Sequence, residues 1–253
     1  MRALVSYMAA TLLLFGNAAS APLSAHGPEP HGAAAGPATL EAVPRGADHD
    51  LDYDPDYDYQ PPAAGSYRLP PIRAASDGVV LDETGAQRRL HTLLAGRITL
   101  LAFVYTRCAD PNGCPLSLSL LYELHDLSTS DAALKANLQL VTLSFDPVYD
   151  TPEVMAMHAA AVTNMRQGAD WRFLTTASQA ALKPILAAYG QPVGLKTNPD
   201  DPLGPYTHQL RLFLIDREQR IRNIYSLGFL DPRLVVNDVR TLLLEERGQG
   251  PQG

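Results

Sequence analysis

The sequence predicts an α/β fold, and three observations support this prediction. Residues 97–105 form an almost continuously apolar, β-prone run, which is typical of a strand buried on both faces of a sheet, and residues 138–145 predict a second buried strand. Each run is followed by a segment with helical periodicity. Two adjacent strand-like segments and a last helical segment then close the chain. With 253 residues and a hydrophobic content of 46%, the chain has room for one globular domain and a tail.

The first predicted elements surround the earlier of the two apolar runs. Residues 78–82 and 86–90 flank the turn Glu83-Thr84-Gly85 and predict a hairpin. The apolar run that follows predicts a central strand. Residues 115–127 then predict a helix with one leucine face, formed by Leu116, Leu120, Leu124 and Leu127. After the second apolar strand, Thr151 followed by a proline predicts the capped start of another helix.

The later elements complete the pattern. They are a short strand at 171–174, a helix capped by Ser178 and ending at Gly190, a hairpin of 210–216 with 221–226, and a last helix at 232–246. This order predicts a thioredoxin-like fold, in which helices flank a central mixed sheet. In α/β folds of this kind, ligands bind at the carboxyl ends of the strands.

The amino-terminal region predicts export. Residues 1–20 combine a positive start, an apolar core and small residues suited to cleavage, which are the features of a signal peptide. An uncleaved, membrane-tethered form is the alternative. Residues 21–65 are rich in Pro, Ala and Gly and then alternate acids with tyrosines, so we expect a disordered linker. We expect the folded domain at 66–247 and a flexible tail at 248–253.

The net charge and the cysteine content limit the kinds of partner and of chemistry that we expect for this protein. The net charge of −7 argues against nucleic acid or an anionic membrane surface as a partner, because both require a basic face. We therefore expect no nucleic acid partner. Because the apolar core within residues 1–20 is short and is expected to be cleaved, we also expect no stable membrane span after cleavage. The chain has two cysteines, and in an exported protein an even number usually indicates a disulfide.

The two cysteines, Cys108 and Cys114, directly follow the first apolar strand. Cys114 precedes a proline typical of a first helical turn, so its sulfur is expected at a helix amino end, where thiolate is favoured. Between the cysteines, Asp110-Pro111-Asn112-Gly113 has the residues of a type I turn, which can bring the two sulfurs together. A disulfide closing so short a loop would stabilise the domain by only about 2–3 kcal/mol. From these residues alone, a structural disulfide and a functional pair both remain open.

Four ordered segments resemble the Sco/SenC family, which are copper-handling thioredoxin-fold proteins involved in cytochrome c oxidase maturation. The resemblance extends over roughly residues 66–244. The segments are Gly65-Ser66-Tyr67-Arg68-Leu69-Pro70-Pro71, Phe103-Val104-Tyr105-Thr106-Arg107-Cys108 with Cys114-Pro115, Leu143-Ser144-Phe145-Asp146-Pro147 with Asp150-Thr151-Pro152-Glu153, and Tyr206-Thr207-His208 before Leu214-Ile215-Asp216.

The resemblance implies a copper site. Cys108, Cys114 and His208 match the family's metal ligands, and two thiolates with an imidazole suit Cu(I), or Cu(II) with an added oxygen ligand. Asp146 matches a family aspartate near the site, although an Asp before Pro also commonly makes a turn. The family usually has three residues between its cysteines, whereas this chain has five. The copper geometry is therefore expected to differ.

The implied function is that of a metallochaperone in the bacterial periplasm, which delivers copper to the copper-bearing subunit of cytochrome c oxidase or to another copper protein. A thiol-disulfide oxidoreductase with Cys108 and Cys114 as its redox pair is the alternative. Whether the protein is an enzyme depends on this choice. Two further hypotheses are a peroxide reductase and a non-catalytic domain with one structural disulfide. The remaining histidines of the domain, His91, His125 and His158, are expected at the surface.

Overall fold

The computed structural model describes residues 59–165 and 167–250. Its strands are β1 (Arg73–Ala74), β2 (Val79–Leu81), β3 (Gln87–Arg89), β4 (Ile98–Val104), β5 (Leu138–Ser144), β6 (Asp170–Leu174), β7 (Val193–Leu195), β8 (Tyr206–His208), β9 (Arg211–Ile215) and β10 (Arg220–Ser226). Its helices are α1 (Leu90–Leu94), α2 (Cys114–Ser130), α3 (Ala132–Asn137), α4 (Pro152–Thr163), α5 (Gln179–Tyr189) and α6 (Pro232–Glu246). The predicted signal peptide, most of the predicted linker and the last three residues lie outside the described residues.

A mixed six-stranded sheet forms the centre of the domain. Its strand order is β1-β10-β9-β4-β5-β6, in which β4, β5 and β6 run parallel and the other pairs are antiparallel. Every residue of β4 and β5 is buried, including the polar residues Thr99, Gln139, Thr142 and Ser144. Helix α2 contacts β4, and α4 contacts β6. This is the helix-flanked mixed sheet that the sequence predicts.

The loops that follow β4 and β5 and the chain that enters β9 lie at one edge of this sheet. Because β4, β5 and β6 are parallel, their carboxyl ends lie together, and we call this side the carboxyl edge. Strand β9 begins there, since Leu212 pairs with Ala102 near the end of β4. Strand β10 ends there, since Ser226 pairs with Arg211. The loops that leave β4 and β5 therefore emerge on the same side as the chain that enters β9.

Helices α4 and α5 begin where the sequence predicts, with one difference in the capping hydrogen bonds. Ser178 Oγ accepts a hydrogen bond of 3.2 Å from the backbone N–H of Ala181 at the start of α5. Gly190 ends that helix with a φ of +61°, a left-handed conformation that glycine adopts without steric cost. Thr151 occupies the cap position of α4, but its hydroxyl makes no capping hydrogen bond. Both caps fall where the sequence places them.

The hairpin of β7 and β8 is not predicted by the sequence. Its strands have three residues each and form a separate two-stranded sheet, in which Val193 pairs with His208. His208 therefore ends β8 and lies before β9. The long loop 196–205 between the strands contains Pro199, Pro202 and Pro205 and has no alternating pattern, so neither strand gives a sequence signal.

The first described residues pack along α6. The side-chain amide of Asn237 donates to the carbonyl of Pro62 at 3.0 Å, and the N–H of Gly65 donates to Thr241 Oγ1 at 2.9 Å. Asp238 of α6 is buried and accepts hydrogen bonds from Tyr67, from Tyr225 at 2.6 Å and from Asn223 at 2.7 Å. The domain boundary at Ser66 stays a prediction, with hydrogen bonds to α6 on both sides of it.

Candidate metal centre

The loop from Cys108 to Cys114 joins β4 to α2 at the carboxyl edge. Within it, the N–H of Gly113 donates to the carbonyl of Asp110 at 2.9 Å, and the N–H of Asn112 donates to Asp110 Oδ1 at 3.0 Å. The predicted turn is therefore present. The Asp110 carboxylate already accepts a hydrogen bond within the loop. Its role in the turn is therefore sufficient to explain an aspartate at this position.

His208 completes a compact group with the two cysteines. Its Nε2 lies 3.4 Å from Cys114 Sγ and 3.9 Å from Cys108 Sγ, and the three atoms lie within 4.8 Å of one another. Both cysteines are free thiols in this structure. Among the described residues, this is the single group of His, Cys, Asp and Glu side chains with the spacing of a metal site.

The spacing of these atoms matches what one metal ion requires. Zinc lies about 2.3 Å from thiolate sulfur and about 2.0 Å from imidazole nitrogen, and copper bonds are of similar length. At tetrahedral to trigonal angles, these bond lengths separate sulfur from nitrogen by about 3.5–3.7 Å. The two observed separations, 3.4 and 3.9 Å, lie on either side of that range. Two sulfurs and one imidazole favour a soft ion over Mg²⁺ or Ca²⁺.

Aromatic rings hold His208 in place. The centroid of its ring lies 5.2 Å from that of Phe145 and 5.6 Å from that of Tyr105, and both neighbours are buried. Tyr206 packs edge-on against the same two rings. The Nδ1 atom of His208 is buried and has no hydrogen-bond partner among the described residues. Packing, and not a hydrogen bond at Nδ1, therefore orients the ring with Nε2 toward the sulfurs.

The two thiols differ in exposure and in acidity. Cys108 is half-buried, and a hydrogen bond from Cys114 and a second from His208 hold its pKa well below the ordinary value. Cys114 is 2% exposed, and its hydrogen bond to Cys108 together with burial raises its pKa. The expectation that the helix amino end makes Cys114 the thiolate is therefore wrong. Helix α2 places Cys114 in the core, where desolvation and the neighbouring sulfur outweigh the helix dipole.

Asp146 connects the cysteine loop to the histidine hairpin. Its carboxylate is 2% exposed, accepts a hydrogen bond of 2.7 Å from Arg107 Nη2 and accepts another of 3.0 Å from the Tyr206 hydroxyl. Burial and the Asp146 charge raise the pKa of Tyr206 to about 12. The carbonyl of Asp146 also accepts from the N–H groups of Tyr149 and Asp150, so the predicted turn is present as well. Asp146 thus positions the neighbours of Cys108 and His208.

Asp150 is a buried carboxylate that sequence reasoning missed. It accepts a hydrogen bond of 3.0 Å from the N–H of Thr106, and further hydrogen bonds from the hydroxyls of Thr106 and Ser144. It thereby fixes the chain two residues before Cys108. In the sequence, Asp150 only precedes a capped helix start, and that position explains an aspartate without any further role.

The other histidines of the domain stand apart from this group. His91 and His158 are partly exposed, but His125 is 3% exposed, and its ring centroid lies 6.0 Å from that of Trp171. The expectation that His125 lies at the surface is wrong, because α2 turns this residue toward β6. Burial lowers its pKa and favours the neutral ring.

A family model described as SCO1/SenC matches residues 78–244 of the chain. The chain belongs to the SCO1/SenC family. The matched range includes both cysteines, Asp146 and His208. The family predicted from the four sequence segments is thus confirmed. Among curated proteins, none matches this chain.

Solved structures of Sco proteins share the fold. ScoI from Bradyrhizobium japonicum, solved with copper bound, is 21% identical over 65% of this chain and 97% of its own, with a TM-score of 0.52. A SCO1/SenC family lipoprotein from Bacillus anthracis is 19% identical over 70% and 99%, with a TM-score of 0.57. BsSco, from the Sco family of cytochrome c oxidase assembly proteins, is 19% identical over 69% and 97%, with a TM-score of 0.51. These matches confirm the predicted thioredoxin-like fold class.

Proposed function

We propose that this SCO1/SenC protein binds one copper ion through Cys108, Cys114 and His208 and delivers it to a copper protein, for which the copper-bearing subunit of cytochrome c oxidase is the candidate. The observation that carries the proposal is the meeting of the three donor atoms within 4.8 Å. Copper bound in ScoI and the assembly role named for BsSco support it. The soft donor set suits Cu(I).

The exposure of the donors suggests how an acceptor reaches the ion. Cys114 is buried and His208 is held between aromatic rings, whereas Cys108 is half-buried on the loop. A thiolate of the acceptor can therefore replace Cys108 first, while the other two donors still hold Cu(I). The metal is transferred by ligand exchange, and no electron changes hands.

Exposed apolar residues at the carboxyl edge support a protein as the acceptor. Val148 is 78% exposed, Leu195 76% and Phe229 61%, and Leu203 accepts a backbone hydrogen bond from Ala109 in the cysteine loop. Contiguous exposed apolar patches are typical of protein interaction surfaces, and we propose that these residues contribute to one.

An anaerobic Cu(I) titration of the reduced protein tests the metal site. We expect one tightly bound ion in the wild type and loss of tight binding in both His208→Ala and Cys114→Ser, because each variant removes one of three donors. His158→Ala serves as the matched control, since His158 lies on α4, away from the group. Wild-type affinity in His208→Ala would contradict the proposed ligand set.

Thiol-disulfide exchange is the second candidate, and the contrast between the two thiols favours it. The Cys108 thiolate would attack a partner disulfide, forming a mixed disulfide and releasing one partner thiolate. Cys114 would then attack Cys108 Sγ and release the second partner thiolate. The partner gains two electrons, and Cys108 and Cys114 become a disulfide. This activity needs both cysteines but not His208, so partner reduction that persists in His208→Ala would favour it over copper delivery.

We also propose that the protein works in the bacterial periplasm after removal of residues 1–20. The apolar segment at 3–15 with small residues after it supports export. Within residues 59–165 and 167–250, none of the helices combines the length and apolar character that a membrane crossing needs. Cell fractionation and the mass of the mature amino terminus test this proposal, and an unprocessed protein in the cytoplasm would refute it.

A further inference from the structure

Gly113 lies directly beside the donor atoms of the proposed metal site. It is buried, and the turn hydrogen bond to Asp110 directs it inward, just before Cys114. A Cβ atom at this position would lie 3.2 Å from Cys108 Sγ, 3.2 Å from His208 Nε2 and 3.3 Å from the Asp110 carbonyl oxygen. Two donor atoms of the site would thus be in tight contact with any side chain at residue 113.

The space that this side chain would fill is the space that an ion needs. An ion about 2.3 Å from Cys108 Sγ and about 2.0 Å from His208 Nε2 lies close to the line between them, because these atoms are only 3.9 Å apart. A carbon 3.2 Å from both atoms is then about 1.6–3.4 Å from the ion, depending on the side from which it approaches. When the carbon approaches from the ion's side of this line, their separation is far below the contact distance of about 3.5–4.0 Å between two carbon atoms. A methyl group in that position and the ion therefore compete for one volume.

The donors have little freedom to move away from such a methyl group. Phe145 and Tyr105 back the ring of His208, and Cys114 is fixed in the first turn of α2. Cys108 is half-buried and can turn outward, but that movement removes one of the three donors from the group. A methyl group at residue 113 therefore requires Cys108 or His208 to shift by a few tenths of an ångström, and this shift changes the spacing of the donor set.

We infer that Gly113 determines whether the site can hold an ion, because its missing side chain leaves the volume that the ion occupies. Gly113 binds nothing itself and acts as a positioning residue. The feature belongs to this chain's five-residue spacing, since the turn Asp110-Pro111-Asn112-Gly113 brings Gly113 against the donors. The inference rests on the proposed copper site.

The test is Gly113→Ala, which keeps all three donors. We expect its affinity for Cu(I), measured anaerobically by competition with a Cu(I) chelator, to fall at least about 10-fold, which is the lower end of the loss seen when residues around metal ligands are replaced. Gly228→Ala is the glycine control, because a Cβ there meets no atom within 4 Å. This control should bind within about threefold of the wild type.

The outcomes separate this inference from the proposed function. If the wild type binds one Cu(I) and Gly113→Ala binds it equally well, the inference is wrong while the copper site stands. If the wild type binds no Cu(I), both fail. The melting temperature of the metal-free variant shows whether it folds. If Gly113→Ala does not fold, Gly113→Ala/Cys108→Ala/His208→Ala removes both donor atoms that the methyl group meets; recovery of the fold supports the contact, and no recovery overturns it.

Discussion

Replacement of Asp146 tests whether one buried carboxylate positions both halves of the proposed metal site. Asp146→Ala removes the acceptor of two hydrogen bonds, one from Arg107 next to Cys108 and one from Tyr206 two residues before His208. It leaves the three donor residues untouched. Because the hairpin of β7 and β8 is a separate sheet, we expect the variant to loosen the position of His208 relative to the cysteines.

The expected loss of stability follows from the exposure of each partner. The hydrogen bond from Tyr206 to a buried carboxylate contributes about 1.5–3 kcal/mol. The ion pair with Arg107 adds only about 0–1 kcal/mol, because the Arg107 side chain is 44% exposed and water screens it. The sum is a loss of about 2–4 kcal/mol in the free energy of unfolding. Asp146→Asn should lose less, since its amide oxygen can accept from Arg107 while its NH₂ donates to Tyr206.

Two measurements on each variant check this reasoning. Urea unfolding of the metal-free protein can be followed by the fluorescence of Trp171, the single tryptophan of the chain. Competition with a Cu(I) chelator gives the metal affinity, which we expect to fall about 10- to 100-fold in Asp146→Ala. Asp200→Ala is the matched control, because Asp200 is exposed on the loop between β7 and β8. The positioning role is refuted if Asp146→Ala retains the wild-type affinity and a free energy of unfolding within about 0.5 kcal/mol of it.

Three further predictions concern single residues. Iodoacetamide should alkylate Cys108 before Cys114 in the reduced protein, because Cys114 is 2% exposed, and peptide mass spectrometry of partly labelled protein gives the order; equal labelling would contradict the burial of Cys114. Gly204→Ala should lower the free energy of unfolding by at least about 1–3 kcal/mol, since Gly204 has a φ of +98° and a Cβ there would lie 2.1 Å from the Tyr105 hydroxyl; unchanged urea unfolding would disprove this contact. Asp238→Ala should cost about 2–4 kcal/mol in the same assay, because it leaves two phenol hydroxyls and an amide without their buried acceptor, and a loss under about 1 kcal/mol would show that water replaces it.

The central sheet could be predicted because its sequence signals are local. The residues of β4 and β5 are buried on both faces, so β4 is apolar apart from Thr99 and β5 is rich in leucine and valine, and neither strand can be mistaken for a loop. The starts of α4 and α5 are marked by Thr151 with a following proline and by Ser178. Where one residue type satisfies one local requirement, the sequence alone is sufficient to predict the strand or the helix start.

The hairpin that carries His208 could not be predicted for the opposite reason. Strands β7 and β8 are short, partly exposed and separated by a loop of ten residues, so neither hydrophobic period nor turn residues mark them. The family resemblance alone predicts His208 as a ligand of the candidate site. The same limit applies to Asp146, whose position before a proline reveals its turn but not its contacts with Arg107 and Tyr206.

The acidity of the two cysteines shows why local rules fail inside a site. The rule for helix amino ends considers Cys114 and α2 alone, and it favours a thiolate at Cys114. In the structure, Cys114 is buried against Cys108, and a second charge next to the first would be costly. Burial of Cys114 therefore favours the negative charge of the pair on the more exposed sulfur of Cys108.

The donors differ in what holds them, and this difference bears on metal release. Cys114 is held by the backbone hydrogen bonds of α2, a helix of 17 residues. His208 is held through a hairpin that does not pair with the main sheet, so its position depends on the side chains of Phe145, Tyr105 and Asp146. Changes in this packing alter the distance from His208 Nε2 to the sulfurs without unfolding the sheet. Metal affinity should therefore respond to such changes more strongly than stability does.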